Sequence, residues 1–428
     1  MNESFLHYIW ELQYFDKKDL KTTDGETIMI MAPGKGNTNS GPDFQTAKIK
    51  IGPMDWAGSV EIHITASAWM SHGHSDDSAY DNVILHVVWQ NDVPVSRTDG
   101  TRIPTLELQH RVDAEMIRNY KRLVNNPASI PCESSLNKVD SLTKLSMLDK
   151  ALMQRLESKA ANVMQLFNQA NQDWEEVAFQ LTARNFGFKI NNEPFFSLTQ
   201  SVPRKVLLKH GDNLTHIEAL LFGQAGFLDY TINDEYLKLL QREYHALAAK
   251  YDLEKEKLKP SLWKFMRLRP ANFPTLRIAQ FSALIFKNKN LFSRITEAER
   301  LPEVKSIFDV STSEYWHRHY RFGRSTARSI SHLGDDSVDN ILINTISPLL
   351  VAYGKQRGDQ QFIDRAVDFL QKIPGETNKI VKSWKLLSLE AHSAFDSQAL
   401  IELNNNFCLK RRCLSCNIGA SLLKPQVP

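Results

Sequence analysis

The sequence has little cysteine, no long apolar run and almost no net charge. Four Cys occur in 428 residues, three of them in the last 21. This excludes the disulfide framework of a small secreted domain. No apolar run reaches the roughly 18 residues that a membrane span needs. The opening Met-Asn-Glu-Ser-Phe-Leu-His lacks a basic leader with an apolar core, so a cytoplasmic, non-membrane protein is expected. The formal net charge of +3 permits nucleic-acid binding but demands that any basic surface be local. No Walker loop, dinucleotide fingerprint or serine-hydrolase elbow is present.

What is present is a folded chain, with 42% hydrophobic and 24% charged residues. Its length exceeds one ordinary core and predicts two or more domains. Residues 5–20 carry apolar side chains at helical spacing. Strands are predicted at 27–33, 44–52 and 59–65, then over NVILHVVWQND and PTLELQHRV, with GPMDWAG read as a turn. Beyond about residue 112 helical periodicity dominates. The expected class is α+β: a β-rich domain over 1–124 with a mixed or antiparallel sheet and a flanking helix, a linker over 125–138, and a larger all-α domain over 139–428.

The acid and imidazole of the β-rich part are concentrated. Pro42-Asp43 opens one strand. On the next, Val60, Ile62 and Ile64 alternate with Glu61 and His63, which therefore share the opposite face. Carboxylates on neighbouring strands can share one Mg²⁺ or Mn²⁺, and such an ion can hold a phosphate and activate water. The order of these residues resembles that of restriction-endonuclease-like nucleases, which carry an Asp and then an acid-x-Lys triplet. The resemblance implies metal-dependent cleavage of DNA or RNA, with Asp43, Glu61 and His63 as catalytic and metal-holding residues and Glu11 as an extra acid. His63 departs from it, because imidazole lacks the fixed charge of Lys. The following loop adds His72 and His74 with Asp76, Asp77 and Asp81, donors that suit Zn²⁺, Mn²⁺ or Fe. Asp76 and Asp77 read as solvated, Asp81 as a turn residue, His86 as a core imidazole, and Trp56 and Trp69 as packing residues.

Cys408, Cys413 and Cys416 form Cys-x4-Cys-x2-Cys. With Cys132 they make four thiols, a donor set for Zn²⁺ or an iron–sulfur cluster. Three buried or unliganded thiols are the alternative. Arg267 and Arg269, and Arg318, Arg321, Arg324 and Arg328, lie among aromatics. They suit either a nucleic-acid groove or a packed Arg network. A non-catalytic scaffold, stapled by metal at the cysteines, is the alternative function.

GSVEIHITASAW, YDNVILHVVW, EALLFGQAGFL, RLRPANFPTLRIAQ and CLKRRCLSCNIGASLL together resemble the bacterial DUF2851 family, a domain of unknown function. The resemblance implies a bacterial, non-secreted protein whose β part and C-terminal cysteines belong together. It implies no activity.

Overall fold

The computed structural model describes residues 2–327 and 332–424. The fold class is α+β, with an N-terminal mixed sheet followed by a large helical region. By packing, the chain forms one compact unit from 1–147 with 403–428 and another from 148–402. The final segment therefore packs with the β-rich part. The 125–138 stretch is itself packed: Ile130, Cys132 and Leu136 are buried, and Glu133–Lys138 forms a 3-10 helix.

In the first unit, helix α1 (Glu3–Glu11) starts where the Asn2 side chain accepts the Phe5 N–H. It stops well short of residue 20. Gln13 takes a positive φ of 52°, which a right-handed helix cannot absorb. The strands are β1 (Ile28–Ala32), β2 (Lys35–Gly36), β3 (Phe44–Ile51), β4 (Met54–Thr65), β5 (Val83–Gln90) and β6 (Thr105–Glu107). The sheet runs β1-β3-β4-β5-β6, with β2 paired to β3. GPMDWAG is mostly strand rather than turn. Gly52, with φ 55°, and Pro53 suffice to reverse the chain, so Met54 already pairs with Ile51.

The pairings of β1 and β2 with β3, and of β3 with β4, are antiparallel; those of β4 with β5 and β5 with β6 are parallel. Parallel neighbours cannot be joined by a hairpin; the chain must cross over one face of the sheet. Residues 66–82 make that crossover, through helix α2 (Ala68–Ser71) and two 3-10 turns at His74–Asp76 and Ser78–Tyr80. Ala66 and Trp69 anchor it against Val83, Val88, Val95 and Ile103. Burial of the His63 and His86 side chains follows from this cover.

The second unit is helical. Leu214–Gln224 is buried almost all round, including Gly223, where a Cβ would meet the Tyr244 ring at 2.0 Å. Glu218 on this helix is fully buried. It accepts hydrogen bonds from Tyr236 Oη and, at 2.9 Å, from Ser313 Oγ. Burial pushes its carboxyl up to about 7, against the two hydrogen bonds. Its contribution to stability is therefore complete below the unfolded value near 4.5 and is lost as pH rises through 7. Glu218→Gln is expected to stabilise the chain by about 1–3 kcal/mol at pH 8.5 and to leave it unchanged near pH 4. Urea unfolding at the two pH values measures this. An equal effect at both would show that Glu218 does not titrate in this range.

Candidate metal centre

The centre forms where the start of β3, the middle of β4 and the crossover meet. β3 carries a bulge: Phe44 pairs with Val60 and Ala47 with Gly58, so β3 spends one residue more than β4. Thr46 absorbs it at φ 57°, unusual for a β-branched residue. Just before the bulge the two carboxylates clasp each other's strand. Asp43 N–H donates to Glu61 Oε2 and Ile62 N–H to Asp43 Oδ2, each at 3.0 Å. On β4 and β5, Glu61 stands level with His86 and His63 with Val88, which brings Glu61, His63 and His86 to the face under the crossover.

The crossover then delivers His72 and His74. Gly73 between them has φ 75° with open space around it, a turn residue that needs no side chain. Tyr80 stacks on His74 at 3.7 Å between ring centres, and Trp69 meets the edges of His74 and His86. Among the described residues, His63, His72 and His74 form the group whose ligand atoms all lie within 4.8 Å of one another. His63 Nε2 is 3.1 Å from His72 Nδ1. Glu61 Oε1 is 3.3 Å from His74 Nε2 and 3.6 Å from His63 Nε2. Two ligands held tetrahedrally about 2.0 Å from one Zn²⁺-sized ion stand about 3.3 Å apart. The three distances bracket that value.

Electrostatics make the site short of positive charge. Burial, then Asp43, pushes Glu61 up to about 8, against the hydrogen bond from Asp43 N–H. Burial, then His86, His74 and His72, pushes His63 down to about 3. Burial and His74 bring His86 to about 3 as well, and burial also lowers His74. His63, His74 and His86 are therefore neutral lone-pair donors near pH 7. His63 Nδ1 lies 2.8 Å from His86 Nε2. If Nδ1 donates there, Nε2 is left as a lone pair facing His72 Nδ1, and a proton or a cation must lie between the two nitrogens. His74 Nε2 is buried and makes no hydrogen bond, its nearest polar neighbour in the centre being Glu61 Oε1 at 3.3 Å. A ligated ion between them would satisfy both atoms. His72 is exposed, so the site is reached from solvent.

The remaining expected residues fall elsewhere or act otherwise. Glu11 is exposed. The residue of α1 that reaches the centre is His7, whose Nε2 is 3.2 Å from Asp43 Oδ2 and which sequence reasoning passed over. Its helix was read for its apolar face, and no spacing ties residue 7 to 43. Asp76 is exposed, and Asp77 caps the Ser78–Tyr80 turn by accepting Ala79 N–H. Asp81 accepts the Thr98 hydroxyl. Trp69 is buried, but Trp56 is 37% exposed and is not a core residue.

Cys132, Cys408, Cys413 and Cys416 are all buried, and no disulfide joins them. In the second unit Arg321 lies over the rings of Phe265 and Phe273, at 3.8 and 4.7 Å, so it is a packing residue there. Trp316 and Phe322 beside it are buried. Arg267, Arg269, Arg318 and Arg324 are exposed, and Arg328 lies outside the described residues.

That unit also holds an open cleft of about 840 Å³ that the sequence did not announce. No carboxylate lines it, whereas Lys159, Arg184 and Lys189 do, with Asn162, Asn185 and Asn344. One wall includes the π-helical turn Leu342–Ile346, a widening that often accompanies function.

Comparison with known families gives one result. The family model described as "Protein of unknown function (DUF2851)" matches residues 3–379. The chain belongs to the DUF2851 family. The match takes in the whole metal centre of this DUF2851 protein, but CLKRRCLSCNIGASLL lies beyond its end. No curated protein and no solved structure matches the DUF2851 chain.

Proposed function

We propose that the chain is a metal-dependent hydrolase of phosphodiesters, with DNA or RNA as substrate. The observation that carries the reading is the convergence of His63, His72 and His74 beside Glu61 in a site open at His72. Structural metal sites are closed; catalytic ones keep a face open. Three imidazoles and a carboxylate favour Mn²⁺ or Zn²⁺ over Mg²⁺, which prefers an all-oxygen shell. His63, His72, His74 and Glu61 would hold such an ion, which would supply Lewis-acid chemistry toward a phosphoryl oxygen and a water. Asp43 and His7 flank it as a carboxylate–imidazole pair, the arrangement of an oriented general base. The test is incubation of purified protein with Mn²⁺, Zn²⁺ or Mg²⁺ and single- and double-stranded DNA and RNA. Cleavage with Mn²⁺ or Zn²⁺ is expected. Metal-loaded protein that cleaves none of these substrates would overturn the reading.

A second reading, a nucleic-acid-binding module without turnover, rests on the cleft of the 148–402 unit. No carboxylate lines it, and its exposed Lys189 suits a phosphate backbone, while Arg184 beside it pairs with Glu193 and burial brings Lys159 down to about 7. Lys189→Glu, at an exposed position on the rim, is expected to weaken binding of a labelled single strand about tenfold and to lower the salt slope by about one. Anisotropy titrations at several salt concentrations measure both. Unchanged affinity and slope would remove this reading.

A further inference from the structure

The chain's four cysteines come from opposite ends of the sequence and fold into the same compact unit. Each sits at the edge of a short structured turn. Cys132 precedes the 3-10 helix Glu133–Lys138, and Cys408 ends the π-helical turn Leu403–Cys408. Cys413 opens the turn Cys413–Ser415, and Cys416 precedes the helix Asn417–Leu423. All four are 6–8% exposed.

Their mutual influence places them together. Burial, then Cys416 and Cys413, pushes the Cys132 thiol up to about 12. Burial, then Cys132, Cys416 and Cys413, raises Cys408 as well. Burial and Cys416 bring Cys413 to about 11. Four buried thiols from two distant segments, with no disulfide among them, thus fold within electrostatic reach of one another.

The surrounding structure holds the two cysteine-bearing segments in register. Arg411, at φ 53°, donates to Cys408 O at 2.8 Å and to Asn126 O at 2.6 Å. Asn126 in turn donates to Pro131 O at 2.8 Å, next to Cys132. Gly419 lies so close under the Cys413 turn that a Cβ would come within 2.3 Å of Cys413 O. One guanidinium thus ties the Cys132 loop to the Cys408 turn, and one glycine seats the Cys413 turn.

The spacing favours one group over the other. Four thiolates on one Zn²⁺ stand about 3.8 Å apart, as tetrahedral Zn–S bonds require. Among the described residues no three cysteines have sulfurs within 4.8 Å of one another; the group that meets that limit is His63, His72 and His74. Thiolates that each bind a different iron stand farther apart than thiolates sharing one ion. A cubane cluster also takes four Cys.

We propose that Cys132, Cys408, Cys413 and Cys416 ligate a [4Fe–4S] cluster that fastens the C-terminal segment to the N-terminal unit. Each thiol loses its proton on ligation, and Arg411 supplies nearby positive charge. The site is separate from the His63–His72–His74 centre in its residues and in its chemistry.

The full-length chain, purified without oxygen and reconstituted with ferrous and ferric iron in equal amounts and with sulfide, tests this. About four irons and four acid-labile sulfides per chain are expected, with broad visible absorption that dithionite bleaches. Acid-labile sulfide separates a cluster from iron bound at the histidines. One tightly held zinc without sulfide would overturn the proposal, as would failure to take up iron and sulfide. Cys413→Ser is expected to cut bound sulfide at least tenfold, whereas His72→Ala leaves it unchanged. If Cys413→Ser does not fold, the metal and sulfide content of the unmodified chain still decides the matter.

Discussion

Glu61→Gln is expected to strip the chain of its divalent metal and, with it, of hydrolysis. Glu61 Oε1 stands 3.3 Å from His74 Nε2 and 3.6 Å from His63 Nε2, the place of a fourth donor. Glutamine fills the same volume, and its carbonyl can still accept the Asp43 N–H that Glu61 Oε2 accepts at 3.0 Å. The strand clasp therefore survives, and the carboxylate oxygen facing His63 and His74 is lost. Mn²⁺ affinity is expected to fall by about a hundredfold or more, since even groups that merely orient a ligand are worth 10–100-fold. Turnover is expected to fall at least as far. Calorimetric Mn²⁺ titration beside a cleavage assay reads both. A second variant guards against misfolding. His72 is exposed, so His72→Ala removes a donor without opening the core and is expected to weaken Mn²⁺ while leaving the unfolding midpoint unchanged. Wild-type affinity in both variants would dissolve the centre.

The sequence made part of this centre legible. Alternation over SVEIHIT placed Glu61 and His63 on one face, and strand order put Asp43 beside them. It could not show why that face is buried. A period-2 pattern says which residues share a face but not whether the next strand runs parallel. The parallel pairing of β4 with β5 is what forces residues 66–82 across the face and brings His72 and His74 onto His63. His86 looked like a core imidazole, and it is fully buried, but it is also the hydrogen-bond partner of His63. His7 carried no local signal, because its link to Asp43 is purely tertiary. The same limit hid the return of 403–428 to the N-terminal unit, since helical periodicity is silent about which helices pack together. Arg321 was misleading for a related reason. Arg interleaved with aromatics describes a packed cation–π stack as well as a nucleic-acid groove, and only coordinates separate them.

The contribution of this one site to the stability of the metal-free protein is expected to pass through a maximum in pH near 6.5, set by opposing titrations within it. Burial and neighbouring imidazoles hold His63 and His86 at about 3 in the folded state, against 6.5 when unfolded. Between these values the unfolded chain binds more protons, so both residues make stability rise with pH up to 6.5. Glu61 works the other way. Its folded value of about 8 exceeds the unfolded 4.5, so the folded chain binds the extra proton and stability falls as pH climbs between them. From 4.5 to 6.5 the site's histidines, His74 included, outweigh its one raised carboxyl, and its contribution rises with pH. From 6.5 to 8 the Glu61 carboxyl is the site's remaining titration, and the slope reverses. Glu61→Gln is expected to abolish the site's descending limb and to steepen its rise between pH 4.5 and 6.5, and the difference between wild type and variant isolates Glu61 from other groups such as Glu218. Saturating Mn²⁺ is expected to flatten the descending limb as well, because an ion that displaces the Glu61 proton keeps the carboxylate charged and paired. Urea unfolding of chelator-treated protein from pH 5 to 8.5, with and without Mn²⁺, measures every part of this. A difference between wild type and Glu61→Gln that stays flat between pH 4.5 and 8 would mean that another carboxyl carries the proton, and the electrostatic account of the centre would fail with it.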